Sequence, residues 1–216
     1  MNDELFQFGL KAFITLLVVV DPLGVAPSFV ALTSSMNAKD RSQTLLRAVL
    51  VALGVMLFFL IAGRWLLFYL GVTVDAFAIS GGVLLFLTSL PMLFGLRPGL
   101  QAPEHEEYAT AGEDIAIFPL AIPLLAGPGT ITTVLLFTTQ AAASLPHLAI
   151  LALITAIVVL ISWGVLYAAD RIVTRLGEGK VRILTRVLGI VLAALAVQYV
   201  LNGITGYFHF LQRRAF

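Results

Sequence analysis

The chain has no cysteine, few charged residues and few histidines, and each shortage closes off a class of functions. Without cysteine there is no disulfide, no thiolate metal site and no thiol redox relay. The three histidines, His105, His147 and His209, fall in links or at the ends of apolar segments, and none pairs with a buried serine or acid. A hydrolase needs a nucleophile with its base, and a metal site needs several ligands together. Neither constellation is visible, so the expectation is no enzyme activity, no metal and no cofactor. The net charge is +1 and no run of Lys and Arg makes a phosphate-tracking stripe, which sets nucleic acid aside as a partner. The start, Met1-Asn2-Asp3-Glu4, is acidic and lacks the basic region and cleavage site of a signal peptide, so the first apolar segment is expected to be retained as a membrane anchor.

What the chain has instead is apolar surface. Sixty per cent of its 216 residues are hydrophobic against 12% charged, with a mean hydropathy of +1.02. Soluble domains run nearer half apolar and a quarter charged, so this composition calls for lipid as the surrounding solvent. Apolar stretches at about 5–35, 45–70, 76–96, 115–140, 147–169 and 183–208 each provide the roughly 20 residues needed to cross hydrocarbon. The expected fold is an all-α integral membrane domain of six transmembrane helices. A short polar link at 36–41, an acidic one at 104–114 and a basic one at 170–186 connect them.

Two of the six stretches are broken. The first is long enough for a helix of roughly 46 Å against a hydrocarbon core of roughly 30 Å, and Asp21-Pro22-Leu23-Gly24-Val25-Ala26-Pro27 interrupts it. The fourth carries Pro119, Pro123 and then Gly127-Pro128-Gly129. Proline lacks an N–H and clashes with the preceding turn, so both stretches are expected to unwind near their centres. A shift of about 106 residues sets Asp21-Pro22 over Gly127-Pro128, Gly71 over Gly177 and, with a one-residue slip, Gly82 over Gly189. Three helices per half is an odd number, so the second half would enter the membrane in the opposite sense. The expected plan is an inverted repeat, with repeat 1 at about 5–96, a cytoplasmic link at about 97–114 and repeat 2 at about 115–210. Lys39, Arg41, Arg47, Arg97, Arg171, Arg175, Lys180, Arg182 and Arg186 share one side, against Lys11, Arg64, Arg213 and Arg214 on the other. That bias favours the first side as cytoplasmic and both termini as periplasmic.

Asp21 is the only acid deep in an apolar stretch, where an ionisable group is costly and functional by default. Asp before Pro is also a helix N-cap followed by a first-turn proline. The two readings cooperate, because a cap there means a helix restarting inside the bilayer with unpaired N–H groups. Gly127-Pro128-Gly129-Thr130 would restart a second helix, whose N–H groups and partial positive charge suit a carboxylate. Asp21 is then the candidate for an ammonium or a coupling ion, and Asp21, Pro22, Gly24, Gly127, Pro128, Gly129 and Thr130 are the candidate substrate site. The glycines equally permit close helix packing, the role favoured for Gly81, Gly82 and Gly189. Gln198 and Asn202 form an amide pair on one helix face, either bridging helices or joining the substrate site.

The runs Asp21-Pro22-Leu23-Gly24-Val25-Ala26-Pro27, Ile79-Ser80-Gly81-Gly82-Val83-Leu84-Leu85-Phe86, Pro119-Leu120-Ala121-Ile122-Pro123-Leu124-Leu125-Ala126-Gly127-Pro128-Gly129-Thr130-Ile131 and Val197-Gln198-Tyr199-Val200-Leu201-Asn202-Gly203-Ile204 together resemble the MarC family of bacterial and archaeal membrane proteins. The resemblance implies a six-helix inner-membrane protein with inverted three-helix repeats, in a family some of whose members are regarded as transporters or exporters of small neutral amino acids such as glycine and alanine. Many members have Asn-Pro where this chain has Asp21-Pro22, and a carboxylate can take up a proton where an amide cannot. The expected function is secondary transport of a small neutral amino acid, with proton or sodium coupling and a homo-oligomer both open. The alternatives are a passive channel or permease and a membrane assembly protein.

Overall fold

A computed structural model describes residues 2–95, 114–141 and 144–214. Among these residues every regular element is helical and there is no strand. The helices are α1 (Asn2–Val20), α2 (Pro22–Leu32), α3 (Ala38–Tyr69), α4 (Val74–Phe94), α5 (Pro128–Ala141), α6 (Leu145–Tyr167) and α7 (Ala169–Arg214), with a wide-turned segment, Ala116–Leu125, leading into α5. Five stretches are long and apolar enough to cross a membrane, with α1 and α2 counted together as one. The Ala116–Leu125 segment with α5, bent by 55°, makes a sixth. The acidic link lies outside the described residues except for Asp114.

Local chemistry sets the helix ends. The Asn37 side chain accepts from the N–H groups of Lys39 and Asp40 at 3.0 and 2.9 Å, so α3 starts inside the polar link. Thr73 caps α4 by accepting from Ala76 N–H, and Gly95, at φ 65°, ends it in the left-handed conformation. Gly71, at φ 67°, follows α3, whereas Gly177 lies inside α7, so those two glycines are not structural equivalents. The largest departure from the sequence reading is the basic link at 170–186, which continues α7 as helix. Arg, Lys, Glu and Leu are strong helix formers, and a polar helix leaving the bilayer reads as a loop by hydropathy alone.

The surface is inside-out relative to a soluble protein. Ile61 and Phe68 are 74% and 79% exposed, while Ser89, Thr133, Thr138, Thr155 and Ser162 are buried. All five of these hydroxyls donate to a carbonyl of their own helix, as from Thr155 to Leu151 O, Ser162 to Val158 O and Thr138 to Val134 O, each at 2.8 Å. A hydroxyl satisfied in this way can be buried at small cost between apolar helices.

The main core joins α1, α2, α3, α5, α6 and the Ala116–Leu125 segment around Leu16, Phe29, Leu45, Met56, Leu120 and Leu151. Within it α3 packs on α6, α1 on α6, and the segment on α3. Helix α2 lies against α6, α7 and the segment, and α5 lies against α3, α4 and α1. Helices α4 and α7 form a separate antiparallel pair. Gly203 faces Asp75 and Ile79, Gly82 faces Ala196 and Val200, Gly189 faces Met92 and Leu93, and Gly95 faces Arg186. Gly189, Ala196 and Gly203 recur every seven residues on α7, so a line of small side chains brings the two backbones together. The pair meets the rest of the protein through Leu85 and Tyr199, against Val18, Val19 and Leu136.

Among the described residues, two ion pairs join the N-terminal and C-terminal halves of the chain, Arg41 with Asp170 and Arg47 with Asp114, the latter at 3.8 Å. The Arg41 guanidinium also stacks over the buried Phe29 ring, 4.8 Å from its centre.

Candidate functional site

The first break is one residue wide. Asp21 adopts φ 44°, ψ 62°, a left-handed conformation that aspartate tolerates better than most residues. Its N–H still donates to Leu17 O, and its carbonyl still accepts from Val25 N–H, both at 3.1 Å. The expected unwinding is therefore confined to a single residue between two helices. The carboxylate folds back to accept from Gly24 N–H at 3.1 Å, with Pro22 filling the first helical position, where no N–H is needed. A side chain at Gly24 would collide with that carboxylate. Asp21 is only 8% exposed, and among the described residues it has no cationic partner and no hydrogen bond from its side chain other than the one to Gly24.

The second break is longer, and its prolines explain it. Phe118 and Ile122 are extended, at φ −129°, ψ 125° and φ −128°, ψ 120°. Each precedes a proline, whose ring drives the residue before it out of the helical region. The Phe118-Pro119 and Ile122-Pro123 peptide bonds are cis. Between these points the chain makes wide turns, with Leu120 N–H reaching Ile115 O and Ala126 N–H reaching Ala121 O. Helix α5 then starts bare. Gly127 offers only its carbonyl, to Ile131 N–H at 3.0 Å, and Pro128 has no N–H. The N–H groups of Gly129 and Thr130 have no intrahelical acceptor. Gly127 has no room for a side chain, which would strike the Pro123 carbonyl. Thr130 ties the restart to the break by donating to Leu125 O at 3.2 Å.

The structure brings the end of α1 against the start of α5. A methyl group added at Gly129 would lie 3.6 Å from Val19 Cγ1, two residues before Asp21, and 2.6 Å from Leu85 Cδ1 on α4. Gly81 faces Thr132, and Gly82 and Gly189 lie in the α4–α7 contact. Gln198 and Asn202 lie elsewhere in character. Both are exposed on α7, and Gln198 Nε2 donates to Asn202 Oδ1 at 2.7 Å. Among the histidines, His147 of α6 stands edge-on to Phe8 of α1, with ring centres 5.0 Å apart. Among the described residues no group of acids and histidines has the geometry of a metal site.

The sequence reading passed over Tyr199. Its buried hydroxyl lies 3.0 Å from Thr133 Oγ1, which itself sits 2.8 Å from Gly129 O in the first turns of α5. The available signal was its place three residues after Ala196, on the small-residue face of α7. Pairing Thr133→Val with Tyr199→Phe in a double-mutant cycle is expected to give a coupling of about 0.6–1.7 kcal/mol, the range for interhelical bonds in membranes. Unfolding in mixed micelles measures it, and strict additivity would show the contact to be idle.

The comparisons with known proteins agree with this architecture. The model of the MarC family integral membrane proteins matches residues 6–208. A UPF0056 membrane protein of Methanocaldococcus jannaschii is 38% identical over 205 residues, covering 93% of this chain and 97% of its own. The UPF0056 inner membrane protein YhgN of Escherichia coli K12 is 35% identical over 199 residues, covering 90% and 95%. The UPF0056 membrane protein YhcE of the same organism is 31% identical over 211 residues, covering 96% and 98%. No solved structure matches the chain. A helical membrane architecture broken at Asp21 and before Gly127, matched from residue 6 to 208, makes this chain a member of the MarC family of integral membrane proteins.

Proposed function

We propose that this protein is a secondary transporter of small neutral amino acids, glycine or alanine in size, working by alternating access between two inverted halves. The observation that carries the reading is Asp21, a buried acid without a cationic partner among the described residues, held at one helix break while a bare helix start stands beside the other end of the same junction. The carboxylate matches an ammonium group or a coupling proton, and the N–H groups of Gly129 and Thr130 match a carboxylate. A zwitterion carries both.

Support for the inverted plan comes from the packing. Exchanging α1 with the Ala116–Leu125 segment, α2 with α5, α3 with α6 and α4 with α7 carries most of the larger contacts onto one another: α1 on α6 becomes the segment on α3, and α2 on α7 becomes α5 on α4, while α5 on α6, α1 on α7 and α6 on α7 have no such counterpart. In this reading the ion pairs of Arg41 and Arg47 hold the halves closed at one face, the cytoplasmic one by the distribution of basic residues. The protein then lies in the plasma membrane, which fits the inner-membrane designation of YhgN, and the distribution of basic residues puts both termini outside in this reading.

Purified protein in vesicles preloaded with unlabelled glycine or alanine should accumulate labelled substrate transiently above equilibrium. That counterflow requires a saturable carrier. Flux without counterflow would make the protein a pore, and no flux from folded protein across a broad amino-acid panel would end the substrate assignment.

A further inference from the structure

The bilayer-facing side of α7 carries two amides that an apolar solvent should not tolerate. Gln198 and Asn202 are exposed, and their neighbours Val197, Leu201 and Ile204 are exposed apolar residues. Their depth is fixed by the α4–α7 pairing. Gly82, two residues from the centre of the 21-residue α4, faces Ala196 and Val200, so Gln198 stands within about one turn of the bilayer midplane.

The amides satisfy each other only in part. Each amide group has two N–H donors and a carbonyl acceptor. The single Gln198–Asn202 bond uses one donor and one acceptor. One N–H of Gln198, its carbonyl and both N–H groups of Asn202 have no partner among the described residues. Thr205, exposed one turn further on, differs in donating to Leu201 O of its own helix at 2.8 Å. Neither amide bonds a backbone carbonyl among the described residues, and unmet polar groups in hydrocarbon are expensive.

We propose that this face of α7 is the contact between two copies of the chain, with Gln198 and Asn202 hydrogen bonding across a twofold axis along the membrane normal. The occupant follows from symmetry. Copies inserted with the same orientation present the same residue at the same depth, and α7 then meets its counterpart in parallel. Acids or lysines would repel there. Amides, being donor and acceptor together, are complementary to themselves.

The absence of cysteine makes the test clean. Gln198→Cys is expected to form a covalent dimer when native membranes are oxidised with copper phenanthroline, while Ile61→Cys on the exposed face of α3 stays monomeric. In dilute vesicles, single-molecule photobleaching is expected to find the unmodified chain paired, and Gln198→Leu with Asn202→Leu associating about tenfold more weakly. Three results would each overturn the proposal: no crosslink at position 198, monomers of the unmodified chain, or labelling of Gln198→Cys by a membrane-impermeant maleimide, which would make this face a wall of a water-filled vestibule.

Discussion

Asp21→Gly is expected to reduce substrate counterflow by at least about a hundredfold while the protein still folds. Glycine is the informative replacement because the backbone there is left-handed, at φ 44°. Leucine would add roughly 1–2 kcal/mol of backbone strain and confuse a folding defect with a functional one. Glycine accepts that conformation, and as an N-cap it costs only a few tenths of a kcal/mol. The carboxylate is then the one thing removed. Asp21→Asn separates its two roles, since asparagine caps as well as aspartate and tolerates the same backbone but cannot exchange a proton. If Asp21 carries the coupling proton, the Asn variant exchanges substrate with a rate indifferent to pH. Proton dependence that survives in Asp21→Asn, measured by counterflow at several pH values, would reduce Asp21 to a cap. Gly24 belongs to the same device, because any side chain there displaces the carboxylate from its bond to the α2 start.

The second large effect is expected at Gly82. A methyl group at this position would begin 2.7 Å from Ala196 O and 3.1 Å from Val200 N, both main-chain atoms that cannot swing aside. Gly82→Ala must push α4 and α7 apart, at a cost of about 1–3 kcal/mol, and Gly82→Leu should prevent the pair from forming. Gly54 provides the control. It lies in α3 with open space beside it, so Gly54→Ala should raise stability by about 0.5–1 kcal/mol through helix propensity alone. Thermal unfolding in detergent, followed by tryptophan fluorescence, tests both. A Gly82→Ala protein as stable as the unaltered one would mean that the two helices do not meet as described.

Hydropathy carried the reading of the spans well, because each apolar stretch had to cross about the same thickness of lipid. The prolines and Asp21 then located the breaks. Hydropathy was blind where helix and solvent-exposed polarity coincide, which is why 170–186 read as a link although its residues favour helix. It was equally blind to which helices touch, since every face is apolar. The Gly189, Ala196, Gly203 periodicity held that information, and so did Tyr199, whose hydroxyl needed a buried partner. The 106-residue shift matched Asp21 with Gly127 at the two breaks and failed at Gly71 and Gly177, because a helix end and a helix interior can both hold glycine for different reasons.

Helix α7 runs from Ala169 to Arg214 without a proline. Asp170, gripping Arg41 at one end, and Tyr199, touching Thr133 beside the α5 start, stand about 44 Å apart on a single rod. No proline interrupts the helix between those two residues. In the proposed transport cycle, release of Asp170 by Arg41 would pass along this rod through Tyr199 to Thr133 near the α5 start, coupling the membrane surface to the buried junction.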